Sequence, residues 1–212
     1  MKLFLLLPWL PPGFLLILVG LGEAQEQTIM TEWTPAFSLE SEHRIVRDSL
    51  LTTLPNMTKE WRLTFDVNPN DYNLNGFASV LHLTIGGKGT GSSAKVGDRT
   101  PAIWFHKTRG VLVSTALDGK ASYSKYFNNL PLAGEWTRIV VSQSLVSSRY
   151  MYSITLGNEE VFSKPNTKPV ELSDVKVYAG SPWYSGQRGS LRNLKIEIKT
   201  PIDCVPVGEM YL

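Results

Sequence analysis

Cys204 and three histidines are all the thiols and imidazoles that the 212 residues contain. A single cysteine forbids an internal disulfide, and with so few such groups neither a zinc cluster nor a Cys/His nucleophile dyad is visible. Charge of one sign is equally scarce. The 21 Lys and Arg against 19 Asp and Glu leave a formal charge of +2, far below what a nucleic-acid binder acting by counterion release carries. Nucleic acid is therefore not an expected partner. No window sustains a helical period. Beyond the first 24 residues no stretch is apolar enough to span a bilayer, so no membrane span is expected.

The one long apolar run opens the chain, from Leu3 through Val19 behind Lys2, and is broken by Pro8, Pro11 and Pro12. Gly22 and Ala24 occupy the small-residue positions of a signal-peptidase site. Residues 1–24 are thus expected to be a cleaved secretory signal peptide, with Gln25 as the mature start. The tail over 201–212 carries Asp203 and Glu209 and lacks the hydrophobic end of a lipid-anchor signal. The expected location is extracellular. There Cys204 is either a shielded thiol or an intermolecular disulfide that makes an oligomer. Asn56-Met57-Thr58 is an N-glycosylation triplet, expected between two strand-like runs after Pro55.

Alternation with period two is the dominant signal. Trp61, Leu63, Phe65 and Val67 alternate with Arg62, Thr64 and Asp66; Leu194, Ile196 and Ile198 with Lys195, Glu197 and Lys199; Tyr150, Tyr152, Ile154 and Leu156 with Met151, Ser153 and Thr155. Each is a strand with one dry face. Further strands are expected at 77–85, 102–106, 111–117, 136–144, 160–163 and 175–179, with weaker ones near 45–51 and 122–127. Asp118-Gly119 and Gly157-Asn158 supply hairpin-turn chemistry. Many short strands at regular spacing predict an all-β chain folded as a two-sheet antiparallel β-sandwich. The expected layout is a 25–60 extension adding strands, a 61–200 sandwich and a 201–212 tail. Loops rich in Gly, Asn and Ser at 68–76, 86–100 and 181–189 are where binding chemistry is expected.

The order Trp61-Arg62-Leu63-Thr64-Phe65, Gly97-Asp98-Arg99-Thr100-Pro101-Ala102-Ile103-Trp104-Phe105, Glu135-Trp136-Thr137-Arg138-Ile139, Val175-Lys176-Val177-Tyr178-Ala179 and Gly189-Ser190-Leu191-Arg192-Asn193-Leu194 resembles the concanavalin A-like jelly roll of the laminin G type. The resemblance runs over roughly 61–199. More narrowly, the chain is also similar to modules of secreted invertebrate matrix proteins, such as those of coral skeleton. The laminin G likeness implies a jelly roll and a calcium ion at one rim, for which it offers Asp71, Asn73, Asn75 and Asp98. The residues themselves argue less for calcium. Asp71 to Gly76 reproduces the first half of a calcium-loop pattern, but the twelfth position is His82 instead of a bidentate glutamate. An Asn/Asp-rich turn accounts for the segment better.

Trp104 and His106 share one face of their strand, opposite Ile103 and Phe105. If the latter pair is buried, the former faces the sheet's second surface. There it either packs under a loop or presents aromatic and polar groups to a sugar. Trp183 and Tyr184, in a Gly/Ser-flanked loop, are either tucked down or used for ligand contact. Arg99 either pairs with Asp98 or meets an anionic ligand. Catalysis finds no support, because the alternating carboxylates of a jelly-roll glucanase are absent and Glu40 and Glu42 have no third acid. The expected function is non-catalytic recognition of a glycan or extracellular-matrix protein. The alternatives are a structural component of an extracellular or mineralised matrix, and a degenerate glycosidase.

Overall fold

The computed structural model describes residues 31–72, 76–89 and 93–201. The leader, Asn73, Asn75 and Cys204 lie outside the described residues, so their expected roles have no structural counterpart here.

Among the described residues thirteen strands form two antiparallel sheets. They are β1 (Thr31–Leu39), β2 (His43–Arg44), β3 (Leu50–Met57), β4 (Trp61–Pro69), β5 (Phe77–Thr84), β6 (Ala102–His106), β7 (Gly110–Leu117), β8 (Lys120–Phe127), β9 (Thr137–Val146), β10 (Arg149–Leu156), β11 (Glu159–Pro165), β12 (Leu172–Ala179) and β13 (Gly189–Pro201). The seven-stranded sheet runs β1-β13-β4-β9-β10-β11, with β2 also on β13. The six-stranded sheet runs β3-β12-β5-β6-β7-β8. The chain is therefore an all-β sandwich.

The alternation explains the core. Leu63, Phe65, Val67, Ile139, Val141, Tyr152, Ile154, Leu194 and Ile196 point inward from the seven-stranded sheet and are buried. Leu81, Leu83, Ile103, Phe105, Val111, Val113, Val175 and Val177 meet them from the other. Burying rows of this kind is the main favourable term in folding. It has to suffice without an internal disulfide, since the chain holds one cysteine. Asp118 (φ 56°) and Gly119 (φ 78°) make the left-handed pair at the β7–β8 turn, as a two-residue hairpin requires.

Two expectations need correction. The strand near 45–51 lies instead at Leu50–Met57, and Asn56 is an exposed residue within β3 instead of a linker between strands. Among the described residues β3 is an edge strand paired only with β12, and an edge tolerates the missing N–H of Pro55. The pairing of Asn56 with Ser173 and of Leu54 with Val175 skips Pro55, across from Asp174 at φ 55°. Upstream, β1 runs through Pro35 on the other sheet's edge, with its register broken between Pro35 and Phe37. The N-terminal segment is thereby built into both sheets.

Candidate functional site

β6 decides where the outer chemistry sits. Ile103 and Phe105 enter the core, which turns Ala102, Trp104 and His106 to the outer face of the six-stranded sheet. There Ala102, Trp104 and Leu112 form a separate buried apolar cluster. Ser114 of β7 and Ser122 and Ser124 of β8 continue that face, joined by Ser124 Oγ donating to Ser114 Oγ at 3.1 Å and a 3.4 Å contact between Ser114 and Ser122. Phe77, Arg99 and Tyr184 complete a hollow of about 470 Å³ over these residues. No carboxyl group is among its lining side chains.

Two loops supply the rims, and His82 fastens both. Its Nε2 lies 2.9 Å from the Asp98 carbonyl, which can only accept, so Nε2 carries the proton. The neutral ring then accepts at Nδ1 from the Ser181 hydroxyl at 3.2 Å. Ser181 Oγ in turn accepts the Trp183 N–H at 3.3 Å. One imidazole thus ties the 86–100 loop, which carries Arg99, to the 181–189 loop, which carries Tyr184. The rings of Trp104 and Trp183 flank it in T-shaped contacts at 5.6 and 5.5 Å between centroids. Burial pushes the His82 pKa down to about 4; the Arg99 charge adds to this, and the bond to the Asp98 carbonyl opposes it. Backbone bonds add a second fastening, with Ser79 N–H donating to the Ser185 carbonyl at 2.9 Å and Gln187 N–H to the Ser79 carbonyl at 2.8 Å.

Of the residues singled out from sequence, Trp104, Arg99 and Tyr184 line this one hollow. Trp104 is its floor and is only 5% exposed. The Arg99 guanidinium lies over its ring at 5.6 Å, so the exposed ring surface belongs to Phe77 and Tyr184 instead. Arg99 makes no ion pair with Asp98 among the described residues; its Nη1 donates to the Gly89 carbonyl at 2.6 Å. Trp183 is half-buried against His82 and does not line the hollow. His106 stands at the end of the face, 4.7 Å from the Phe77 ring, with Nδ1 accepting the Thr108 N–H at 3.2 Å.

Phe77, Ser114, Ser122, Ser124 and His82 were missed from sequence. A usable signal existed for the serines. Ser122 and Ser124 share one face of β8, and Ser124 is registered opposite Ser114.

Of the residues offered for calcium, Asp71 and Asp98 lie among the described ones. Asp71 pairs with Arg188 at 3.3 Å. Asp98 is buried, and its Oδ2 accepts the Lys95 N–H at 2.8 Å within its own loop. Tyr72 is anchored to the body, with its hydroxyl donating to the Pro131 carbonyl at 2.6 Å. Among the described residues no three His, Cys, Asp or Glu side chains gather to hold a metal.

No protein-family model matches the chain, and no curated protein matches it. Solved structures do. The chain is similar to the CBM40 of Ruminococcus gnavus IT-sialidase bound to α2,3-sialyllactose, with 11% identity over 77% of this chain and 92% of that one at a TM-score of 0.49. It is similar to domain 4 of AbnA, a GH43 extracellular arabinanase from Geobacillus stearothermophilus, in complex with arabinotriose, with 13% identity over 81% and 84% at 0.48. It is also similar to a heptameric SAP-like pentraxin from Limulus polyphemus, with 10% identity over 78% and 75% at 0.46. The fold assignment rests on the two sheets themselves, and these likenesses carry no argument about the site. The narrower likeness to coral matrix modules finds no support among them.

Proposed function

We propose that the chain is an extracellular, non-catalytic glycan-binding module that seats a saccharide in the hollow on the outer face of the six-stranded sheet. The observation that carries this reading is the composition of that hollow: the rings of Phe77 and Tyr184, three serine hydroxyls and the Arg99 guanidinium around about 470 Å³, with no carboxyl group. A sugar ring offers apolar C–H faces for aromatic contact and hydroxyls for hydrogen bonds, and this lining supplies both. A glycosidase needs two carboxyl groups about 5 to 10 Å apart beside the bond it cuts, and the lining supplies neither. The apolar leader and the exposed Asn56 support secretion and glycosylation. Calcium enters this reading only as an arm of the test.

Residues 25–212, expressed through the secretory route, are applied to a glycan array in calcium and again in chelator. Signal in both conditions is the expected result. Signal in calcium alone shifts the site to a metal near Asp71 or near Asp98, and silence in both overturns the proposal.

A further inference from the structure

On the far side of the 181–189 loop lies a second hollow of about 530 Å³, between residues 44–47 and the segment 185–190. Its walls are held by backbone bonds: Ile45 N–H to the Gly189 carbonyl at 3.0 Å, Val46 N–H to Ala179 at 3.3 Å, and Asn70 N–H to Arg188 at 2.9 Å. Ser190 is paired with Arg44 in the β2–β13 ladder. A Cβ at Gly186 would come within 3.1 Å of Val46 Cα and 3.2 Å of the Ile45 carbonyl oxygen. The absent side chain therefore lets the two walls approach closely.

Arg44, Arg47 and Arg188 are all exposed and all line this hollow, with Asn70, Ser185 and Ser190 between them. No Asp or Glu is among its lining residues. Among the described residues, only Arg188 of the three has a carboxylate partner, Asp71 at 3.3 Å. Three arginines lining one hollow, with Arg188 paired to Asp71, in a chain with a formal charge of only +2 make a local cationic site that the overall balance conceals. Guanidinium forks match the planar or trigonal oxygens of carboxylate and sulfate, and the amide and hydroxyls supply further donors.

We infer that this arginine-lined hollow is a second binding site, separate from the aromatic one, which holds the sulfate or carboxylate groups of an acidic polysaccharide. A polysaccharide is favoured over a compact anion because the hollow is an open trough with its cations on exposed rims. The donors along it can meet successive charged groups of an extended chain.

The test measures binding of residues 25–212 to heparin, to hyaluronan and to neutral dextran, at low and at physiological salt. Double-stranded DNA serves as a polyanion of another class. The variants are Arg44→Glu with Arg47→Glu, and separately Tyr184→Ala, each checked for an unchanged thermal midpoint. Retention on heparin or hyaluronan, weakened at least about tenfold by the double arginine change and unaffected by Tyr184→Ala, is the expected result. Heparin alone would identify sulfate as the recognised group, and hyaluronan alone carboxylate. Unaltered retention in the double variant, no retention of either polysaccharide, or equal arginine-dependent retention of DNA overturns the inference. Loss of neutral-glycan binding in Tyr184→Ala reports separately on the aromatic hollow, so failure of one site is distinguishable from failure of the other.

Discussion

Replacing His82 by glutamine tests whether one neutral imidazole holds the rims of the aromatic hollow together. His82 is fully buried and uses both nitrogens, donating to the Asp98 carbonyl and accepting from Ser181. Burial lowers its pKa from the ordinary 6.5 to about 4. The unfolded chain therefore binds a proton in this window that the folded chain refuses. Stability is full above the unfolded value and falls as pH drops from 6.5 towards 4, by about 3 kcal/mol in all. That is a large part of the roughly 5 to 15 kcal/mol that an ordinary domain possesses. Glutamine keeps one donor and one acceptor but does not titrate. Urea unfolding at pH 7, 5.5 and 4 should therefore show a decline in the wild type that is about 3 kcal/mol steeper than in His82→Gln. A protonated ring also loses its acceptor for Ser181 and gains a charge facing Arg99. Glycan affinity should weaken in the wild type alone as pH falls through about 4, where the folded ring takes up its proton. Parallel stability curves for the two proteins would refute this account of His82.

Phe65 is fully buried in the centre of β4, so Phe65→Ala should cost about 3 to 5 kcal/mol by chemical denaturation. Asp66 accepts from Arg138 at 2.8 Å and from Asn193 at 2.7 Å. Burial raises its pKa, but these bonds and the charges of Arg138 and Arg192 outweigh it and leave the pKa lowered. Its contribution is thus present above the ordinary 3.8 and lost as pH falls through the lower folded value. Asp66→Asn should cost about 1 to 3 kcal/mol at neutral pH, with a smaller loss in acid than the wild type. Asn56→Gln should remove one oligosaccharide's mass from the secreted protein on a denaturing gel while leaving the thermal midpoint within a degree or two.

The architecture was legible wherever one face of a strand is dry. The rows through Phe65, Ile154 and Ile196 carry their orientation in the alternation itself, and Asp118-Gly119 states its turn. Edge strands were harder to read. β1 and β3 contain Pro35 and Pro55, which argue against a strand until the sheet shows that their N–H groups need no partner there. The outward placement of Trp104 followed from Ile103 and Phe105. Its coverage by Arg99 did not, because that contact depends on how the 86–100 loop folds back over the sheet. His82 looked like a failed twelfth ligand of a calcium loop, whereas its role comes from two segments, at Asp98 and Ser181, that meet only in three dimensions. Arg44, Arg47 and Arg188 are dispersed in a nearly neutral chain, and only the β2–β13 pairing brings them to one trough.

The central claim is that a saccharide occupies the hollow over Trp104, and amide and aromatic shift mapping by NMR tests it most directly. The strongest oligosaccharide from the array is titrated into isotopically labelled residues 25–212. The account predicts saturable shifts concentrated at Phe77, Arg99, Ser114, Ser124 and Tyr184, and their disappearance in Tyr184→Ala. Shifts confined to the outer face of the seven-stranded sheet, or to the turn around Asp71, would contradict it.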